Sequence, residues 1–369
     1  MKRALIALLI LGVLNPAVAN DWKPAQPDYA WSFPRDHWAH ADYKTEWWYF
    51  TGHLTAKDGR RFGYQFTFFR VGVLPAAPPA DSAWTARDVI MGHAAVSNLD
   101  RNEHRFSEVI YRAIPLLGGF GAWPEPLVAW SRAPAGTPGK WRLAWNGSGF
   151  DFKMRDDAQA MSFSLSTRPG KPLVFQGPNG YSRKTPSGSG ASLYYSFTRL
   201  QTSGQLSLDG QTWQVTGESW MDKEFFTRVL APRQVGWDWF SLQLDDRREV
   251  MLFRLRRADG TADFASGTVV HPDGSTTYLD GSAFTISSQA RWQSPHTEGV
   301  YPSHWRLSIP QEQLDLEVMV EMADQENRSR LIGTLHYWEG AVKLLQDGLP
   351  VGKGYVELTG YGTSSRPAL

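Results

Sequence analysis

The residues best suited to proton transfer lie in one short segment, Trp220-Met221-Asp222-Lys223-Glu224. Alternate side chains of a β-strand point to the same face, so Trp220, Asp222 and Glu224 should share a face. Burial beside aromatic rings disfavours a charged carboxylate and raises its pKa. A neutral Asp222, with Glu224 as a second candidate acid, could protonate an alkene, and water addition would complete a hydration. The alternative, which the sequence favours, is a structural Asp222 that accepts hydrogen bonds or pairs with an arginine.

His93 is a further candidate for acid–base chemistry because the ordinary pKa of histidine lies near neutrality. It stands in the apolar segment Gly92-His93-Ala94-Ala95, where a single histidine is more often hydrogen-bonded in the core than catalytic. The chain has no G-x-S-x-G elbow of a serine hydrolase and no metal-type pairing of histidines. We therefore expect neither a metal nor another cofactor.

The chain is also rich in aromatic residues, 13% of it, with 17 Trp. Four of them, on two neighbouring predicted strands, could line a ligand cavity or equally fill a barrel interior: Trp48, Phe50, Phe66 and Phe68. Glu46 and Arg70 lie at opposite ends of the same predicted hairpin, and we expect a structural ion pair at a barrel rim. The alternative is that this pair anchors the polar end of a ligand. Tyr194 and Trp220 complete the predicted ligand-binding set.

Positioning these residues requires β-strands. Residues 44–54 and 62–70 alternate around the turn at Asp58-Gly59, which predicts a long hairpin. Similar short strands, separated by Gly, Pro, Asn or Asp, recur along the chain, while helical periodicity is nearly absent. This pattern is typical of a sandwich or barrel. Residues 118–137, rich in Gly, Pro and Trp, are expected to form a loop.

An internal duplication is visible in five matches that occur in the same order. The segment at Trp47-Trp48-Tyr49-Phe50 resembles Trp237-Asp238-Trp239-Phe240, and Trp220-Met221-Asp222 resembles Tyr355-Val356-Glu357. We expect Trp47 to correspond to Trp237 and Asp222 to Glu357. Two domains follow, residues 40–225 and 235–362, each of about eight strands.

The N-terminus has the features of a cleaved signal peptide over residues 1–19: a basic start, a short apolar run and Ala17-Val18-Ala19. We expect a secreted, periplasmic protein that begins at Asn20. Without Lys2 and Arg3 the 38 basic and 37 acidic residues become 36 and 37, a net charge of −1. A near-neutral chain has no electrostatic preference for nucleic acid. No later segment is long and apolar enough to span a bilayer, and the absence of cysteine excludes disulfides.

The motifs as a set resemble the lipocalin-like superfamily of carotenoid 1,2-hydratase and AttH. They include residues 46–54, 62–70 and 92–95, Trp220-Met221-Asp222-Lys223-Glu224 and residues 354–361, and they span nearly the whole mature chain. The resemblance implies an all-β fold of two tandem lipocalin-like antiparallel β-barrels, and its AttH branch implies an ABC transport complex as a partner. Hydratases of this superfamily carry a histidine and a tryptophan where this chain has Leu193-Tyr194-Tyr195, which argues against carotenoid hydration.

Three functions remain open at this point. The sequence favours a secreted protein that binds an apolar or amphipathic small molecule or lipid. The second is a cofactor-free hydratase or isomerase with Asp222 as its acid, and the third is a structural protein with filled barrels. An apolar cavity reached by Asp222 would favour the enzyme, and a cavity without convergent acids would favour the carrier.

Overall fold

The structure, a computed structural model, describes residues 21–76, 82 and 84–362. The predicted signal peptide and its cleavage site before Asn20 lie outside these residues. The regular secondary structure of the described chain is almost all β-strand, with three 3-10 turns at Arg35–His37, Pro178–Gly180 and Pro310–Glu312. No described helix is long and apolar enough to cross a membrane.

The strands follow one another along the chain and form two antiparallel sheets. Those of the first sheet are β1 (Thr45–Ala56), β2 (Arg61–Gly72), β3 (Asp88–Asn98), β4 (Glu103–Arg112), β5 (Gly118–Phe120), β6 (Leu127–Arg132), β7 (Lys140–Trp145), β8 (Phe150–Asp156), β9 (Met161–Pro169), β10 (Val174–Phe175), β11 (Tyr181–Arg183), β12 (Ala191–Leu208) and β13 (Gln211–Arg228). Those of the second are β14 (Gln234–Leu244), β15 (Glu249–Arg257), β16 (Ala262–Val270), β17 (Thr276–Asp280), β18 (Thr285–Gln293), β19 (Val300–Ile309), β20 (Leu314–Val320), β21 (Glu326–Arg328), β22 (His336–Gln346) and β23 (Leu349–Leu358).

The two sheets share one pattern of strand order, to which the first sheet adds β6 and β5 at one edge. The short strands β10 and β11 pair with β12, and β21 pairs with β22, beside this order. The first sheet runs β4-β3-β2-β1-β13-β12-β9-β8-β7-β6-β5, and the second runs β17-β16-β15-β14-β23-β22-β20-β19-β18. In each, the first strand of the sheet therefore pairs with the last. The first sheet curls until its edge strands β4 and β5 approach each other. The predicted fold class, two tandem antiparallel barrels, is confirmed.

Two details differ from the sequence prediction. The sheets contain 13 and 10 strands rather than about eight each. Residues 118–137 are not a continuous loop, since they include β5 and β6, which complete the edge of the first sheet. The extra strands are two to six residues long, too short for alternation to distinguish them from turns.

The strand register places the duplicated residues in matching positions. Tyr49 of β1 lies opposite Asp222 of β13, and Trp239 of β14 lies opposite Glu357 of β23. Counting back two residues on β1 and β14 gives Trp47 and Trp237. The register is therefore the one that the correspondence of Asp222 with Glu357 requires.

Each barrel has its own apolar core, and a third apolar cluster joins the two barrels. This joining cluster includes Tyr49, Tyr194 and Trp220 from the first sheet and Trp239, Phe253 and Tyr355 from the second. The outer faces approach closely at Gly63, where an added Cβ would lie 2.7 Å from the Tyr355 hydroxyl. Part of the outer face of each sheet is thus buried against the other, and a cavity lies at this junction.

Candidate active site between the barrels

A cavity of about 400 Å³ lies between the two sheets. Its walls are mainly aromatic and aliphatic, and the rings come from both barrels: Trp47, Tyr49 and Phe69 from the first, and Trp237, Trp239 and Phe253 from the second. A chamber of this size suits a small molecule. The period-two alternation of β1 and β14 explains the wall, because their odd-numbered residues here face away from their own barrel cores.

Asp222 reaches this cavity and is only 3% exposed. Its carboxylate accepts hydrogen bonds from the Tyr194 hydroxyl (2.6 Å), the Ser196 hydroxyl (2.5 Å) and the Trp220 indole N–H (2.7 Å). Burial raises the pKa of Asp222 to about 7, although the three donors oppose this shift. Near neutral pH, Asp222 can therefore both hold and release a proton.

Tyr194 links Asp222 to the second barrel. Its hydroxyl donates to Asp222 and accepts a hydrogen bond, 3.1 Å long, from the indole N–H of Trp239. Tyr194 itself lies on the cavity wall. Trp220 does not line the cavity, but its indole N–H donates a hydrogen bond to the Asp222 carboxylate. Two of the predicted ligand-binding residues are thus gathered around the predicted acid.

Glu224 also lines the cavity but has a different environment from Asp222. Its carboxylate forms a 2.7 Å ion pair with the Lys184 ammonium group and accepts a hydrogen bond from Ser192. Lys184 also lies over the ring of Phe253, 4.3 Å from its centroid. The Lys184 ammonium group therefore balances the charge of Glu224, and a carboxylate in such an ion pair suits a structural role better than that of a proton donor.

The second barrel contributes Glu357, the counterpart of Asp222, to the same cavity. Its carboxylate accepts a 3.0 Å hydrogen bond from the Trp237 indole. Burial, together with the nearby Asp222 and Glu224, raises the pKa of Glu357 to about 7, although the Trp237 hydrogen bond opposes this shift. The duplication predicted this equivalence but not that both acids would face one chamber, because the relative placement of the barrels is not encoded in strand alternation.

Glu339 was missed by the sequence reasoning. It lies directly opposite Glu357 on the neighbouring strand β22 and is 1% exposed. Among the described residues, neither of its carboxylate oxygens has a hydrogen-bond partner. Burial raises its pKa well above the ordinary value, and the neighbouring Glu357 adds to the rise. The sequence offered one signal for Glu339, since it follows Leu335-His336-Tyr337, a segment that resembles Leu193-Tyr194-Tyr195 of the first half.

His93 lies on the cavity wall, contributed by β3. Its Nδ1 is 2.7 Å from the hydroxyl of Tyr337, which comes from the second barrel. Burial lowers the pKa of His93 to about 3, so the imidazole is neutral at physiological pH. His93 is thus hydrogen-bonded, as expected for a core histidine, and yet borders the chamber.

The four aromatic residues Trp48, Phe50, Phe66 and Phe68 lie elsewhere. All are fully buried in the core of the first barrel rather than on the cavity wall. Their rings pack with other core aromatics; for example, the Phe66 ring stacks on Phe152 at 5.1 Å. These side chains fill the barrel, which was one of the two interpretations of the sequence.

Glu46 and Arg70 lie opposite each other and form an ion pair, but both are fully buried. Lys223 pairs with the same Glu46 carboxylate, and Arg70 also contacts Asp88 at 2.7 Å. Burial alone would raise the pKa of Glu46, but Lys223 and Arg70 hold it well below its usual range. Neither residue borders the cavity.

The acids of the cavity do not form a metal site. In the part of the chain that the structure describes, no group of three or more His, Cys, Asp or Glu side chains could hold a metal ion. The site is an apolar chamber with carboxyl groups of raised pKa on its walls.

Two tandem barrels with an acid-lined apolar chamber between them define a double lipocalin-like protein. A model of the AttH-like family matches residues 24–361, and the chain belongs to that family. A crystal structure of a putative AttH from Nitrosomonas europaea is 32% identical, with a TM-score of 0.81, and the match covers 92% of this chain and 99% of that one.

More distant structures share the fold. Kievitone hydratase from Nectria haematococca is 14% identical with a TM-score of 0.66, over 93% of this chain and 97% of that one. The protein CghA is 13% identical with a TM-score of 0.51, over 85% and 88%. No protein with a curated description matches the chain.

Proposed function

We propose that this protein is a cofactor-free hydratase or isomerase that protonates a carbon–carbon double bond of an apolar substrate, with Asp222 as the acid. The observation that supports this most is the position of Asp222, buried on the wall of an apolar chamber and held by three neutral donors. An apolar cavity that Asp222 reaches favours an enzyme over a carrier, because a carrier needs no acid on its wall.

The chemistry needs no other reactant than water. The Asp222 carboxyl group transfers its proton to one alkene carbon, and the π electrons form the new C–H bond. The adjacent carbon becomes cationic, and the faces of Trp47, Tyr49 and Trp239 shelter it. Water then adds to the cation and returns a proton to Asp222. Loss of a neighbouring C–H proton to Asp222 instead moves the double bond, which is an isomerisation.

The three donors around Asp222 serve this cycle. They stabilise the carboxylate that exists after proton transfer, while burial stabilises the neutral acid before it. A pKa of about 7 keeps both forms accessible. Since the acid must be protonated to start the reaction, turnover should fall as the pH rises above about 7.

The alternative function is a carrier of an apolar or amphipathic ligand associated with an ABC transport complex. It uses the same chamber but requires no acid. The two functions predict different results for Asp222→Asn, which keeps the shape of the side chain and one of its two accepting oxygens but removes its transferable proton.

The test measures deuterium incorporation at alkene carbons of isoprenoid probes, farnesol and geranylacetone, incubated with the protein in D2O. Asp222→Asn should lower the rate at least about a hundredfold. Binding of the apolar dye N-phenyl-1-naphthylamine should stay within about twofold. Glu326→Gln is the matched control, because Glu326 is also a buried carboxylate with hydroxyl donors, but it lies outside the cavity. Dye binding without deuteration by the native protein would support the carrier.

We further propose that the protein is exported to the periplasm, on the basis of the signal-like residues 1–19. Protein recovered from the periplasm of an expressing bacterium should begin at Asn20 when its N-terminus is sequenced. Full-length protein that begins at Met1 and stays with the membranes would contradict export.

A further inference from the structure

One transverse row of residues crosses four neighbouring strands of the first sheet. Asp222 lies opposite Tyr49, Tyr49 opposite Thr67, and Thr67 opposite His93. Asp222, Tyr49 and His93 all border the cavity. Three interstrand spacings separate the backbones of Asp222 and His93, a distance of about 14 Å. The acid and the imidazole therefore stand at two ends of one elongated chamber.

A chain of hydrogen bonds fixes the proton positions at the His93 end. Asn327 accepts through its Oδ1 from His104 Nε2 (2.9 Å) and donates through its amide nitrogen to Gln65 Oε1 (3.0 Å). The Gln65 amide nitrogen donates in turn to the Tyr337 hydroxyl oxygen (3.2 Å). Since the Gln65 amide already donates to the hydroxyl oxygen, we assign the hydroxyl proton of Tyr337 to the hydrogen bond with His93 Nδ1, 2.7 Å away. Tyr337 and Gln65 belong to different barrels, so the chain forms only when the chamber is assembled.

This arrangement leaves His93 with one unused donor. Because Nδ1 accepts from Tyr337 and the ring is neutral, the imidazole proton must be on Nε2. Nε2 has no hydrogen-bond partner among the residues that the structure describes, although His93 is only 2% exposed. The rings of Phe69 and Phe106 lie 5.2 Å from the imidazole and offer no lone pair. Nε2 itself has almost no accessible surface, so a ligand reaches it only when the side chains around it move aside. A buried donor without a partner, on a residue that lines a ligand chamber, calls for an acceptor on the ligand.

We propose that His93 binds an uncharged oxygen of the ligand, so that the ligand is an elongated, largely apolar molecule with a carbonyl, ether or hydroxyl oxygen at the end opposite its double bond. The oxygen is uncharged because Lys184, the only Lys or Arg among the described wall residues, is paired with Glu224. This inference rests on the proposed function, since it places the reacting double bond at Asp222.

The proposed class of ligand excludes pure hydrocarbons, because a hydrocarbon would leave the Nε2 donor of His93 unpaired. Sites built to hydrogen-bond a substrate oxygen discriminate strongly against the analogue that lacks it. The oxygen also sets the orientation of the chain, because only one end of the molecule can pair with His93 and leave the other at Asp222.

The test compares two probes by their displacement of N-phenyl-1-naphthylamine: geranylacetone, and the hydrocarbon in which a methylene group replaces its carbonyl oxygen. The native protein should bind the ketone about tenfold more tightly than the hydrocarbon. His93→Leu should abolish that preference and leave the affinity for the hydrocarbon unchanged. Tyr337→Phe, which removes the hydroxyl that orients the imidazole, should reduce the preference, whereas Tyr355→Phe, outside the cavity, should not.

The outcomes separate this inference from the proposed function. Equal affinity of the native protein for both probes would overturn the role of His93 while leaving apolar binding intact, and this comparison needs no variant to fold. A preference that survives in folded His93→Leu would place the oxygen elsewhere and also overturn the inference. Failure of the dye to bind at all would instead contradict the proposed function.

Discussion

Asp222 and Glu224 are two residues apart on one strand face, yet the fold gives them different chemistry. Glu224 forms an ion pair with the ammonium group of Lys184, whereas Asp222 accepts hydrogen bonds from neutral donors only. The shared face was predictable from the period of a strand. The partners were not predictable, because Lys184 and Ser196 lie far in the sequence from Glu224 and Asp222, the carboxylates that they contact. Each comes into place only after β11 and β12 pair with their neighbours.

Glu357 offers a test of the chamber's effect on a single carboxyl group. Its folded-state pKa of about 7 lies above the ordinary value of 4.5. Its contribution to stability is therefore complete below about pH 4.5 and is lost as the pH rises toward 7. Glu357→Gln has no such proton to lose. Between pH 5 and 7 the unfolding free energy of the variant should rise by about 2 kcal/mol relative to that of the native protein.

Urea denaturation at several pH values between 5 and 8 measures this difference directly. The two stability curves should diverge between pH 5 and 7 and run parallel above about pH 7. Curves that stay parallel throughout would show that the Glu357 carboxyl is no harder to ionise in the folded protein than in the unfolded chain.

At the scale of the strand, adjacent residues of β1 face two different environments, the core of the first barrel and the chamber. Trp48 and Phe50 point into the filled barrel, while Trp47 and Tyr49 point into the chamber. Alternation predicted the two faces correctly, but both faces are aromatic. Which one borders the cavity depends on what covers the outer face, and that cover is the second barrel. The sequence therefore predicts the strand and its faces and does not predict the side on which a ligand would bind.

A matched pair of substitutions on β1 tests this assignment. Trp48 is fully buried, and its indole donates a 2.7 Å hydrogen bond to the carbonyl of His37. Trp48→Ala should cost about 3–5 kcal/mol of stability, because it leaves a cavity in a packed core. In the protein that remains folded, dye affinity should change little. Trp47→Ala should weaken N-phenyl-1-naphthylamine binding at a smaller loss of stability, because its ring forms part of the chamber wall.

Chemical denaturation and dye titration of the two variants give the two readouts independently. A reversed pattern, with dye affinity lost in folded Trp48→Ala and retained in Trp47→Ala, would place the ligand inside the first barrel. That was the other interpretation of the aromatic residues of β1 and β2.

At the scale of the whole molecule, the duplication was readable from the sequence because each barrel repeats its motifs in the same order. The strand order and the register at Tyr49–Asp222 and Trp239–Glu357 agree with it. What the repeat does not specify is how the two copies dock. The chamber, with one acid from each copy, is a property of the docked pair, so the site could be predicted residue by residue only in part.

Docking also depends on a buried charge cluster away from the chamber. Glu249 of the second sheet is fully buried and pairs with two cations of the first half, Lys171 at 2.8 Å and Arg199 at 2.6 Å. The Lys171 ammonium group is held in addition by the backbone carbonyl of His271 at 2.7 Å. These contacts join the halves with a single carboxylate at their centre.

Removing that carboxylate charge should destabilise the whole molecule. Glu249→Gln leaves Lys171 buried without its carboxylate partner and leaves Arg199 with Glu218 alone, which should lower the unfolding free energy by about 3–5 kcal/mol. The exposed pair of Arg306 and Asp315 is the control, and Asp315→Asn should change the unfolding free energy far less, because solvent screens an exposed pair. Urea denaturation at pH 7 measures both. Equal small losses would mean that apolar packing alone holds the barrels together, since the buried charges would then contribute no more than a pair on the surface.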